Sequence, residues 1–153
     1  MIWFLVAAAV AVADLLIKRW VDQKKEEKSS ESFLNGKVIL TKYYNDGAIL
    51  GVLKDKVKIL SGLTLVMVGI IIGFLLSITG KKGNVLLKTG LSLILGGAAS
   101  NTYERLTKGH VTDYIRINIG PKKLSKVVFN MGDFCILVGC IFSIIGGFLR
   151  DRK

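Results

Sequence analysis

Residues 96–117 read GGAASNTYERLTKGHVTDYIRI, and residues 127–134 read VVFNMGDF. The first segment leaves one apolar run and the second enters another. At these two junctions stand Asn101, Glu104, Arg105, Asp113, Asn130 and Asp133. Four of the six side chains can carry charge, at points where the chain crosses between water and an apolar medium. Ionisable groups at a membrane edge are costly, so they mark candidate functional positions.

The rest of the chain sets the medium. It has 153 residues, about one domain's worth, with 51% hydrophobic residues and a mean hydropathy of +0.51. A soluble domain of this size has no core large enough to hide such long apolar runs, so the class is integral membrane protein. Four runs are long enough to span, near residues 2–21, 57–79, 85–103 and 131–149. They predict a mainly α fold of four transmembrane helices in a single domain over residues 1–153. Ala11-Val12-Ala13 has the form of a signal-peptide cleavage site. No positive charge precedes that run and apolar residues continue past Asp14, which favours a span.

The net charge of +11 lies beside or between the apolar runs, without aromatics interleaved for base stacking. This points to anionic lipid headgroups as partners and away from nucleic acid. Cys135 and Cys140 are not at metal-ligand spacing and read as small lipid- or core-facing residues. His110 is the only histidine, which argues against a histidine-based zinc site. Neither a metal nor a cofactor is expected.

Asp14 and Lys18 share a helix face at i and i+4. They read either as a snorkelling ion pair at the interface, with Trp20 as a belt residue, or as a brace for a nearby site. Asp22–Ser32 is charged and serine-bearing, a loop or a frayed helix extension. Residues 38–44 alternate as a strand does, and Asn45-Asp46-Gly47 is a turn signal before a second short apolar run. Gly69 and Gly73 have the spacing that permits close helix approach. Gly80–Asn84 is a tight polar hairpin. The small residues Gly96–Ser100 invite a neighbouring backbone and leave room for polar side chains or a substrate backbone. Gly109 breaks the third helix, residues 111–119 alternate as a strand, and Gly120–Lys123 is a turn. Four crossings then gather Asp14, Lys18, Asn45, Asn101, Glu104, Arg105, Asp113, Asn130 and Asp133 at one membrane face.

Two carboxylates close together in a partly dry setting share a proton, so one takes a proton from water while the other donates one. That is aspartic peptidase logic, and it requires no nucleophilic side chain. Each acid also has a plain role. Asn130-Met131-Gly132-Asp133 has the form of a helix cap with an acid at the third position, which is compatible with an ionised base. Asp113 reads equally as a strand-edge aspartate, and Glu104 with Arg105 as an interfacial ion pair.

The ordered blocks carry a resemblance. Asp14 and Lys18 stand at D-x-x-x-K spacing. Asn45, Gly47, Ala48 and Gly51 form an N-x-G-A block. Gly96, Gly97, Asn101, Arg105, Gly109, Val111 and Asp113 form a third, and Phe129, Asn130 and Asp133 a fourth. Over nearly its whole length the chain resembles the bacterial lipoprotein signal peptidases, also called signal peptidase II. The resemblance implies an intramembrane aspartic endopeptidase that cuts diacylglyceryl-modified prolipoproteins before the lipid-bearing cysteine. Asp113 and Asp133 match the catalytic pair. Asn45, Gly47, Asn101, Arg105 and Asn130 match residues that hold substrate or order the pair, with Glu104 as a structural partner and Asp14 and Lys18 as the brace. The first loop would be an extracytoplasmic β-cradle, the second would hold a helical region, and a globomycin-type inhibitor is implied.

Departures mark a divergent member. Glu104 stands where aspartate is usual, Ser100 for glycine, Gly132 for alanine, Tyr114 for phenylalanine, and Ile49-Leu50 for a small-aromatic pair. The family's topology places both termini in the cytoplasm of the cell membrane and the pair near the outer face. Sixteen of the 22 lysines and arginines then lie on the outer side, against the positive-inside rule. The ordered blocks outweigh that count. Two rivals use the same residues: a non-catalytic binder of lipoprotein or lipid, and a small transporter-like bundle using the acids as a relay. The second would show repeat symmetry between its halves, and the sequence has none.

Overall fold

Each apolar run folds as one helix in the computed structural model, which describes residues 1–27, 29–46, 57–119, 125 and 127–150. The helices are α1 (Ile2–Lys24), α2 (Val57–Thr79), α3 (Val85–Lys108) and α4 (Met131–Arg150). At 1.5 Å per residue they reach about 30–36 Å, comparable with a hydrocarbon core. Among the described residues, Ser61–Thr79 and Met131–Leu149 are long and apolar enough to cross a membrane, with mean hydropathies of 2.4 and 2.1. α2 turns Leu63, Val66, Ile70 and Leu76 outward, and α4 turns Leu137, Ile144 and Phe148 outward. Such continuous exposed apolar faces suit lipid rather than water. α1 and α3 instead bury polar side chains, among them Asp14, Lys18, Asn101 and Glu104, which lowers their own hydropathy.

Two helices run further than the apolar runs. α3 continues past Tyr103 to Lys108, where Gly109 at φ 79° takes the left-handed conformation and donates to the Arg105 carbonyl at 3.1 Å. Asn101, Glu104 and Arg105 therefore project from helix rather than from a junction. α1 continues through Asp22 to Lys24, and Lys42 Nζ caps that end by donating to the Asp22 and Lys25 carbonyls at 2.9 and 3.1 Å.

α3 is the central helix, with α4, α1 and α2 packed around it. Its small residues permit this. A Cβ on Gly96 would collide with the Ala7 carbonyl and Val10 of α1, and one on Gly97 with the Gly132 carbonyl of α4. At Gly96 and Gly97 the space is thus filled by α1 and α4, the neighbouring backbone that such small residues invite, and is not left for a substrate backbone. Gly69 and Gly73 are also corrected: a Cβ at either meets nothing within 4 Å. α2 docks instead through the fully buried Leu75 and Ile78, in a core with Ala7, Leu87, Leu91 and Leu95. Gly97→Ala should therefore destabilise the fold by about 1–3 kcal/mol, whereas Gly69→Ala should not. Thermal unfolding of the two purified variants checks this contrast.

The sheet is antiparallel, in the order β1 (Ser30–Phe33), β2 (Val38–Asn45), β3 (Val111–Ile117), β4 (Val128–Phe129). β2 and β3 are the two alternating stretches of the sequence. β1 was not expected: its tight connection to β2 uses Leu34, Asn35 and Gly36 at φ 51°, 56° and 80°, and Asn35-Gly36 is the pair that signals it. β2 and β3 shift register between Leu40 and Tyr43, after which Tyr43 faces Asp113. Gly47, Ala48, Gly51, the second apolar run and the Gly120–Lys123 turn lie outside the described residues.

Candidate active site

The site begins with a buried ion pair. Lys18 Nζ lies 2.9 Å from Asp14 Oδ2, and both residues have 0% exposure. A pair this deep does not snorkel to the interface. Lys18 Nζ also donates to Ser100 Oγ at 3.1 Å and Asn101 Oδ1 at 2.6 Å, and lies 3.4 Å from Glu104 Oε2. Because Lys18 holds the Asn101 oxygen, the amide nitrogen turns the other way. It donates to Asp133 Oδ1 at 2.9 Å.

Glu104 does not pair with Arg105, as the ion-pair alternative supposed. Its carboxylate accepts from the Thr112 backbone N–H at 2.8 Å, the Thr112 hydroxyl at 3.1 Å and Lys108 Nζ at 2.6 Å, besides facing Lys18. Lys108 in turn meets Asp22 at 2.7 Å. Glu104 thus ties the end of α3 to α1 and to the start of β3.

Asn130 holds both candidate acids. Its backbone N–H donates to Asp133 Oδ2 at 3.0 Å, and its Oδ1 accepts from the Asp133 N–H at 2.9 Å. This is a reciprocal cap on the first turn of α4. Its Nδ2 donates to Asp113 Oδ1 at 2.7 Å, while Asn45 Nδ2 donates to Asp113 Oδ2 at 2.9 Å. The cap and a shared site for the two aspartates are one arrangement. Asp113 is 2% exposed; burial and the nearby charge of Asp133 push its carboxyl up to about 7, against the pull of the Asn45 and Asn130 amides. Burial, with the charge of Asp14 beside it, likewise raises the Tyr114 hydroxyl.

Arg105 lies within electrostatic reach of both Asp113 and Asp133. Its buried Nε has no hydrogen-bond partner among the described residues. Nine of the ten candidate positions are thus drawn into connected networks or within reach of the two acids; the tenth, Gly47, lies outside the described residues. Among the described residues, no group of three His, Cys, Asp or Glu side chains could hold a metal ion. Three members of the networks escaped the sequence reading: Thr112, Lys108 and Asp22. Lys108 stands one helical turn after Glu104 and Asp22 one after Lys18, which was the available signal for these two, and nothing local marked Thr112.

A family model described as signal peptidase (SPase) II matches residues 6–149. The chain belongs to the signal peptidase II family. A lipoprotein signal peptidase of Listeria welshimeri is 30% identical over 153 residues, covering 100% of this chain and 97% of the relative. One from Lactiplantibacillus plantarum is 29% identical, over 98% of this chain and 95% of the relative. A solved bacterial membrane enzyme, obtained by the in meso method, superposes with a TM-score of 0.79 at 26% identity, over 99% of this chain and 89% of the other. As a signal peptidase II the chain is a bacterial membrane protein in a protease family that removes signal peptides from prolipoproteins. The mainly helical architecture with its small antiparallel sheet agrees with that membership.

Proposed function

We propose that this signal peptidase II is an aspartic endopeptidase that cleaves diacylglyceryl-modified prolipoproteins immediately before the lipidated cysteine, with Asp113 and Asp133 as its acid–base pair. The observation that carries the reading is Asn130, which hydrogen-bonds both carboxylates, one through its side chain and one through its backbone. Asp133 accepts from Asn101 and Asn130 at the start of α4, where the helix dipole favours a negative charge. It acts as the base that takes a proton from water. Asp113, held protonated to about 7, donates its proton to the scissile carbonyl oxygen as water adds; when the tetrahedral intermediate collapses, the proton that Asp133 took from water passes to the leaving amine and Asp113 regains its own. Arg105 offers its free Nε to a substrate carbonyl. Asn45, Asn101 and Asn130 orient the two acids, Glu104 holds β3 in place, and Asp14 with Lys18 braces Asn101.

In this reading all four helices cross the membrane as a single domain, with both termini cytoplasmic and the sheet at the outer face. The exposed apolar faces of α2 and α4 support it. Substrate and membrane lipid reach the site laterally, and a globomycin-type inhibitor competes for it.

The pH profile tests the assignment. The acid must keep its proton, so its contribution is present at low pH and lost as pH rises through the value for Asp113. Above about 7, kcat/KM for a lipidated prolipoprotein should fall roughly tenfold per pH unit. A rate that climbs between pH 7 and 9, as expected for a nucleophile losing a proton, would contradict the acid role.

A further inference from the structure

Two hydroxyl residues from different elements, Ser100 and Tyr114, meet at one carboxylate. Ser100 Oγ donates to Asp14 Oδ2 at 2.5 Å, and Tyr114 OH donates to Asp14 Oδ1 at 3.2 Å. Each hydroxyl also accepts: Ser100 from Lys18 Nζ at 3.1 Å, and Tyr114 from the Met131 N–H at 3.0 Å. Both hydroxyls therefore use their donor and an acceptor position. The Met131 N–H is among the first of α4, one of the donors that a helix leaves without an internal partner. Tyr114 meets that donor from β3.

The consequence is spatial. Tyr114 directly follows Asp113, and Met131 precedes Asp133 by two residues. One phenol thus fastens the strand bearing one acid to the helix turn bearing the other. Ser100 directly precedes Asn101, whose amide holds Asp133. Asp14, with 0% exposure, is the buried hub joining these attachments. We infer that Ser100 and Tyr114 are positioning residues, which act through Asp14 to lock β3, α3 and the first turn of α4 at the separation the acid–base pair needs. Neither touches the reacting atoms. This rests on the acid–base reading above.

The two hydroxyls back each other up on one carboxylate. Tyr114→Phe leaves Asp14 Oδ1 and the Met131 N–H without their partner, while Ser100→Gly leaves Lys18 still holding Oδ2. Tyr114→Phe is expected to lower kcat about tenfold with KM within about twofold, the scale of one buried hydrogen bond. Ser100→Gly alone should cost about twofold. The double variant should lose clearly more than the product of the two, because only then is Lys18 the sole group holding the carboxylate. As the pair loosens, the basic limb of the pH profile should also move to lower pH, a change that mere loss of stability does not cause.

The experiment measures kcat, KM, the pH limb and the thermal midpoint for both single variants and the double, in one detergent with one lipidated prolipoprotein. Asp113→Asn and Asp133→Asn run alongside. Tyr114→Phe with kcat within twofold of wild type and an unmoved limb would overturn the inference, as would strictly multiplicative losses in the double variant. If that happens while both Asp→Asn variants are inactive, the acid–base reading survives and only the positioning role fails. If either folded Asp→Asn variant still cleaves, both fail together.

Discussion

Asp113→Asn is expected to lower kcat for prolipoprotein cleavage by about 10³–10⁴-fold, the upper range of general acid–base catalysis. Asparagine keeps the shape of the side chain and one acceptor oxygen but cannot pass a proton. The fold should tolerate it. Asp113 accepts from Asn45 and Asn130, one amide at each oxygen, so the variant turns an NH₂ group towards one donor at a cost of about 1–3 kcal/mol. It also removes a buried carboxyl that already holds its proton to about 7, so little charge is lost near neutral pH. KM should stay near the wild-type value, because the substituted group acts on the reacting bond rather than on substrate capture. Asp133→Asn should be as inactive. It loses the full carboxylate that accepts from the Asn130 N–H and should therefore unfold more easily, by about 1 kcal/mol. Steady-state kinetics beside thermal midpoints separate the loss of chemistry from the loss of fold.

Lys18→Met is the substitution with the largest expected effect on stability. Methionine fills a similar volume, so the change is mainly electrostatic. Lys18 Nζ has Asp14, Glu104, Ser100 and Asn101 around it. Without it, two buried carboxylates lose the cation between them. Glu104 retains Lys108 and Thr112, but Asp14 keeps only hydroxyl donors. Removing one partner of a buried ion pair costs about 3–5 kcal/mol, which for a chain of this size lowers the thermal midpoint by roughly 10–15 °C. Neutralising Asp14 in the same chain, as Lys18→Met with Asp14→Asn, should recover part of that loss. A Lys18→Met midpoint within a degree of wild type would mean that the pair is hydrated and does not brace the site. Activity should fall too, because the Asn101 oxygen loses the donor that orients the amide towards Asp133.

Much of this was legible in the residues. Hydropathy located four helices because apolar runs of spanning length are long-range, low-noise features. Alternation found β2 and β3 because a strand's period of two persists over their seven or eight residues. Ionisable residues at the ends of apolar runs pointed to the site because burying them is costly enough to need a reason. The cap at Asn130–Asp133 was readable from spacing alone. What stayed hidden depends on which faces meet. Gly69-x-x-x-Gly73 has the same local form as the small residues of α3, yet the α3 glycines meet another backbone and these two do not. Nothing within a helix says which neighbour will cover it. β1 escaped because four exposed residues carry almost no burial pattern. Glu104 was assigned a structural role, but its partners were not evident: Thr112 lies across a chain reversal at Gly109. Ser100 and Tyr114 were visible only as departures, and their shared partner required α1, α3 and β3 to be placed together.

In the proposed mechanism two aspartates, one from a strand and one from a helix turn, carry out peptide hydrolysis as a pair. Single-turnover cleavage tests it most directly. A diacylglyceryl-modified prolipoprotein is incubated in lipid with excess wild-type, Asp113→Asn or Asp133→Asn protein, each first shown to be folded, and products are read by mass spectrometry. The expected result is release of the signal peptide and a new amino terminus at the lipidated cysteine with wild type, and neither product with the variants. Cleavage by either folded variant at a rate near wild type would contradict the assignment of that aspartate.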